Sequence, residues 1–183
     1  MRLQLHTERL LLRPFEPQDA NVVRRLAGEY AVASTTLSLP HPYPDGAAET
    51  WIAFRSDAAK HGHGYTFAIV ARADNRLMGC ISLNLTSEHR RAELGYWLGS
   101  AYWGNGYATE AARRVIRFGF EELNLNRIWG AAMTRNPASS AVLRKSGMLH
   151  EGTMKQHIRK WDRFEDVEYF GLTISDYMPT SSS

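Results

Sequence analysis

Residues 92–110 read AELGYWLGSAYWGNGYATE. Over 92–98 the residues alternate, with Leu94, Tyr96 and Leu98 on one side and Glu93, Gly95 and Trp97 on the other, which is the period-two pattern of a strand. Gly99, Gly104 and Gly106 then punctuate a loop. From there Ala108, Ala112, Val115, Ile116, Gly119 and Phe120 recur at helical spacing to about residue 123, with Arg113, Arg117 and Glu121 on the outer face. A strand, a glycine-rich loop and a helix in that order make an anion site. Unpaired amide N–H groups and the positive helix end converge there, and the glycines let a ligand approach the backbone. A phosphate or pyrophosphate is the natural guest. Two familiar phosphate loops fit poorly. A Walker A loop needs Lys and then Ser or Thr after the second glycine of GxxxxG, whereas Gly104 is followed by Asn105 and Gly106. A dinucleotide loop needs a third glycine where Thr109 stands, and an acidic residue about 20 positions later that is missing here.

Upstream, residues 65–72 and 77–86 are β-prone runs around the turn Ala73-Asp-Asn-Arg76, and they predict a hairpin continuing into the 92–98 strand as an antiparallel meander. Before it come an opening strand over 10–15 and a capped helix carrying Val22, Val23, Leu26 and Ala27. A shaped loop follows over 37–45 (LSLPHPYPD, with three prolines), then a helix over 47–60 ended by His61-Gly-His-Gly64. Downstream, 127–133 reads as a strand, 137–146 as a helix stopped by Gly147, and 167–174 as a closing strand. The order βααβββαβαββ is α+β: a mixed, mostly antiparallel sheet flanked by helices, with one βαβ crossover carrying the glycine loop. At 183 residues the expectation is a single domain over 1–178 and a disordered tail over 179–183.

Apolar residues make up 44% and charged residues 22%, an ordinary globular mixture. Twenty-two Lys plus Arg against 19 Asp plus Glu give a net charge of only +3, so nucleic-acid binding is not expected. Cys80 is the only cysteine, which excludes an intrachain disulfide and a Cys-rich zinc site and suits a reducing cytoplasm. Arg2, His6, Glu8, Arg9 and Arg13 interrupt the N-terminal leucines, and no stretch has the length of a membrane span. His61 and His63 lack acidic or cysteine neighbours and read as a helix terminus, so no metal is expected.

The segment Trp103-Gly-Asn-Gly106-Tyr-Ala108 resembles the pyrophosphate loop Q/R-x-x-G-x-G/A of the GNAT acetyltransferases, with Trp103 in place of the usual Gln or Arg. Asn136-Pro-Ala-Ser139 and the helix through Lys145, Ser146, Gly147 and Met148 resemble the family's second coenzyme-A motif. AELGYWL, GYATEA and TERLLLRPF (residues 7–15) resemble its RimJ/RimL branch, which acetylates protein N-termini and related amines. The resemblance covers nearly the whole chain. It implies acetyl-CoA as co-substrate, a primary amine as acceptor, foremost a ribosomal or other protein N-terminus, and a monomer or homodimer. It also implies that Gly104, Asn105, Gly106, Tyr107, Ala108 and Thr109 hold the pyrophosphate. The 93–98 strand would splay from its neighbour and free backbone near Trp97, Leu98 and Gly99 for the pantetheine arm and the thioester oxygen, with Asn136 bonding the pantetheine amide.

Acetyl transfer to an amine needs a held donor, a neutral amine, and stabilisation of the charge that develops on oxygen and sulfur. Glu93 is the candidate base, acting through water; an α-amine, with a pKa of about 7.7–8.0 against about 10.4 for lysine, needs little help. Its alternative is an ion pair with a neighbour such as Arg91. Ser139 is the candidate partner of the departing thiolate, and its alternative is to cap the helix at Pro137. Leu143 stands where many family members carry a tyrosine acid. His157 is a second candidate base, or a solvated histidine in a polar loop. The HPYP loop with Trp51 and Phe54 is an acceptor wall or ordinary packing. Arg113, Arg144 and Lys145 either meet the coenzyme's 3′-phosphate or are solvated. Two other functions stay open: acetylation of a small amine (polyamine, amino acid or antibiotic), and a non-catalytic coenzyme-A-binding module.

Overall fold

The computed structural model describes residues 3–177, so the tail expected at 179–183 lies outside the described residues. The alternating runs become strands: β1 (Leu5–His6), β2 (Leu10–Pro14), β3 (Gly64–Ala71), β4 (Leu77–Thr86), β5 (Arg91–Leu98), β6 (Arg127–Met133), β7 (Leu149–Lys160) and β8 (Arg163–Thr173). The helically spaced runs become α1 (Ala20–Ala27), α2 (Tyr30–Thr35), α3 (Ala47–Lys60), α4 (Tyr107–Glu121), α5 (Pro137–Lys145) and α6 (Ile174–Tyr177). Among the described residues these eight strands form one sheet in the order β1-β2-β3-β4-β5-β6-β8-β7, in which only β5 and β6 run parallel. The expected hairpin pairs Gly64 with Asn84 and Phe67 with Ile81.

Three elements go beyond the reading from sequence. β1, α2 and α6 are two, six and four residues long, too short to show a period. β7 is the strand that the expected order counts before the closing one without bounds: it is an edge strand exposed along most of its length, so no apolar alternation marks its range. His157 therefore sits on a bulged strand, within the register shift between Met154 and Ile158, and not in a loop.

Helices cover both faces of the sheet. Leu83, Leu94 and Leu98 pack with Ala112, Val115 and Ile116 of α4 and Leu143 of α5. On the other face Val23, Ala27 and Ile52 gather with Trp51 and Trp97. The alternation in β5 thus points Tyr96 toward α4 and α5, and Trp97 toward α1 and α3. What positions the site is where pairing ends. β5 and β6 are in register at Arg91–Arg127, Ala92–Ile128 and Glu93–Trp129, and no further. β4 follows β5 on to Leu98, and β8 follows β6 on to Met133. The sheet therefore opens into a wedge immediately beyond Glu93, as the resemblance implies.

Candidate active site

The glycine loop lies at the open end of β5. Gly104 and Gly106 have φ of +75° and +78°, a left-handed backbone that side chains disfavour. The first helical N–H with a partner is that of Glu110, which donates to the Gly106 carbonyl; the amides of 104–109 donate to no described residue. Six consecutive free donors at the N-terminus of a 15-residue helix fit a pyrophosphate. The N-terminal TER segment braces this loop. Arg9 donates through Nη1 to the Asn105 carbonyl (3.0 Å) and through Nε to Glu110 (2.7 Å), and its guanidinium lies 4.5 Å from the Tyr107 ring centroid. The Thr7 hydroxyl donates to Glu110 at 2.6 Å. Burial pushes the Glu110 carboxyl up, but the Thr7 and Arg9 donors outweigh it and hold the group below its ordinary range. Trp103 uses its indole Nε1–H to donate to the Leu98 carbonyl at 2.8 Å, tying the loop to the end of β5. Gly99 donates its N–H to Met78.

At the apex of the wedge, the Glu93 side chain makes no hydrogen bond or ion pair with any described residue, Arg91 included. Burial raises its pKa, and the positive Arg55 partly offsets that. Arg55 itself donates to Asn84, the cross-strand partner of Glu93, at 2.6 Å. Next to this lie Trp129 and Tyr169, stacked with ring centroids 5.7 Å apart, and the His157 ring stands edge-on to Tyr169 at 5.8 Å. Burial and the Glu93 charge both raise the Tyr169 pKa. The structure thus brings His157 to the aromatic neighbours of Glu93.

On the other arm of the wedge, α5 begins at Asn136, whose Oδ1 accepts the Ser139 N–H (3.2 Å) and whose Nδ2 donates to the Thr35 carbonyl (3.1 Å). Asn136 is therefore the helix cap, a role the sequence left open for Ser139. The Ser139 hydroxyl lies 2.7 Å from the Tyr96 hydroxyl. Tyr96 was legible only as an apolar-face residue, because 43 residues separate it from this partner. Leu143 is wholly buried in the core. Arg113 donates to the Lys145 carbonyl (2.7 Å from Nη2), and the Arg144 guanidinium lies over Phe170, so neither is simply solvated.

Two cations hold the segment 34–41. Arg135 donates to the Ser34 carbonyl (2.7 Å), and Lys160 donates to the Leu39 carbonyl (2.7 Å). Trp51 packs edge-on against Phe15 at 5.0 Å, whereas Phe54 is exposed. Among the described residues no cluster of His, Cys, Asp and Glu could hold a metal, and no helix is long and apolar enough to cross a membrane.

A family model for the acetyltransferase (GNAT) domain matches residues 9–149, which include the loop, the wedge and the start of α5. The chain belongs to the GNAT acetyltransferases. This GNAT chain is 33% identical over 175 residues to "Uncharacterized N-acetyltransferase p20" of Bacillus licheniformis, covering 94% of the chain and 97% of that protein. It is 29% identical over 115 residues to the ribosomal-protein-serine acetyltransferase of Escherichia coli, covering 62% of the chain and 64% of that protein. The crystal structure of a GNAT-family acetyltransferase from Bacillus anthracis superposes with a TM-score of 0.84 at 25% identity, over 94% of the chain and 99% of that structure. The GNAT chain is an acetyl-CoA-dependent N-acetyltransferase, and the free amides of 104–109 fit the pyrophosphate of that co-substrate.

Proposed function

We propose that the chain acts as one N-acetyltransferase domain whose acceptor is the N-terminal α-amine of a protein or peptide, ribosomal proteins among the candidates. The observation that carries this reading is the Glu93 carboxylate at the apex of the wedge, accompanied by the cation of Arg55 and with no second acid among the charges that shift it. A single carboxylate suits an acceptor with one amine of near-neutral pKa, whereas a polyamine brings several cations that each need a counter-charge. Likeness to the Escherichia coli ribosomal-protein-serine acetyltransferase supports the same acceptor class.

Bound acetyl-CoA supplies the acetyl group as a thioester. The amides of Gly104, Asn105, Gly106, Tyr107, Ala108 and Thr109 hold its pyrophosphate, while backbone beside Trp97, Leu98 and Gly99 lines the opening for its arm. Asn136 fixes the start of α5 and so places Ser139. Glu93 accepts the amine proton through water, leaving the nitrogen lone pair free. Ser139 donates a hydrogen bond to the sulfur as it departs.

Thiol release from acetyl-CoA with a panel of N-terminal peptides, spermidine, free amino acids and aminoglycosides tests the reading. Peptides with a free N-terminus are expected to have the highest kcat/KM, and the same peptides blocked at the N-terminus to be inert. A preference for spermidine or an aminoglycoside would overturn it.

A further inference from the structure

The hydrogen bond between Tyr96 and Ser139 crosses the wedge. Tyr96 extends from β5 three residues beyond the last β5–β6 pair, and Ser139 is the third residue of α5, which follows β6. The phenol oxygen lies 2.7 Å from Ser139 Oγ and 3.1 Å from the Ser139 carbonyl oxygen. Counting protons limits what this geometry can do. A carbonyl only accepts, and the phenol has a single proton to give. If that proton goes to the carbonyl, the Ser139 O–H is spent on the phenol oxygen. If it goes to Oγ, which is the shorter contact, the Ser139 O–H is free to point into the wedge. Burial keeps the phenol protonated throughout the neutral range by pushing its pKa up to about 12.

We infer that Tyr96 is the positioning residue for Ser139: its phenol donates to Ser139 Oγ and thereby aims the serine O–H at the sulfur that departs when acetyl is transferred. The inference rests on the role proposed above for Ser139. As the C–N bond forms and the C–S bond breaks, the electron pair of the C–S bond stays on sulfur and the amine proton leaves toward Glu93. Both hydroxyl groups rotate and neither loses its proton, since a thiol, with a pKa of about 8.5, is too weak a base as its thiolate to strip such a phenol. Negative charge on sulfur is spread along a two-link chain of hydrogen bonds, each strengthening the other.

The test reads the thiol of bound CoA and not turnover. Isotope-labelled CoA, followed by NMR at the methylene beside the sulfur, is titrated on the wild-type protein, Tyr96→Phe, Ser139→Ala and the double variant, with CoA affinity checked by calorimetry. Each single variant is expected to raise the pKa of the bound thiol by about one pH unit, the size of one hydrogen bond to a charged group, and the double variant to raise it no further. 3-Fluorotyrosine at position 96, a stronger donor of the same shape, is expected to lower it. The inference is overturned if Tyr96→Phe titrates as wild type, if it adds to Ser139→Ala, or if fluorination changes nothing. A Ser139→Ala protein that titrates as wild type would instead remove the Ser139 role on which the inference stands.

Discussion

At the scale of single residues, the wedge holds a carboxylate that the fold tolerates at a cost. Burial raises the pKa of Glu93, and Arg55 offsets only part of the rise. A group whose folded pKa exceeds its unfolded value stabilises the fold below the unfolded value and loses that contribution as pH rises through the folded one. Ionised Glu93 is thus a net cost to stability at neutral pH, while the base role proposed for it needs that same ionised form. Glu93→Gln separates the two effects. We expect kcat to fall about 100-fold or more, with acetyl-CoA affinity unchanged and Tm at neutral pH equal or higher. In the wild type the acidic limb of kcat against pH is expected above the ordinary glutamate value of about 4.3, and the variant should lack it. A variant that keeps wild-type turnover, or that melts earlier, would make Glu93 a structural carboxylate.

At the scale of elements, the loop before α4 is a backbone device held by side chains from another part of the chain. Its position and glycines were legible because they are contiguous in 92–110 and need only local chemistry. Arg9 and Thr7, although quoted within a family motif, could not be read as braces for the loop, since Glu110 is 101 residues from Arg9. Ser139 was read as a candidate, but its contact with Tyr96 was lost for the same reason, and the bounds of β7 because a polar edge strand carries no period. The two halves of the device predict different phenotypes. Gly106→Val places a β-branched side chain at φ of +78°, which strains the loop by about 1–3 kcal/mol and is expected to weaken acetyl-CoA binding more than 10-fold in calorimetry. Arg9→Ala leaves the backbone intact, frees the Asn105 carbonyl and removes the guanidinium from Glu110, which keeps the Thr7 hydroxyl and the residue-9 backbone N–H. Because the Arg9 side chain is 44% exposed, we expect little change in Tm, with binding weakened by only a few fold. If Gly106→Val bound normally, the loop would not be the pyrophosphate site.

At the scale of the whole molecule, the segment 34–41 is joined to the sheet and α5 by a few polar contacts, most of them part-buried, and Arg135 is the hub. It follows β6, donates Nε to Glu165 on β8 at 2.8 Å, and donates Nη2 to the Ser34 carbonyl in the last turn of α2. Lys160 and Asn136 bind the same segment at Leu39 and Thr35. The Glu165 side chain is only 11% exposed, so removing Arg135 strands a carboxylate in a poorly solvated place. Losing one partner of a buried pair costs about 3–5 kcal/mol; the 37% exposure of the Arg135 side chain lowers that to about 2 kcal/mol. Arg135→Ala is thus expected to lower Tm by about 4–8 °C for a chain of this length, and to speed amide exchange over 34–41. The sign of the cause can be checked. Adding Glu165→Gln removes the stranded charge and should recover much of the Tm, while leaving exchange over 34–41 fast because the Ser34 contact is still missing. If Tm and exchange recovered together, the segment would be held through the ion pair and not through Ser34. If neither moved in Arg135→Ala, the segment 34–41 would be held by the Lys160 and Asn136 contacts alone.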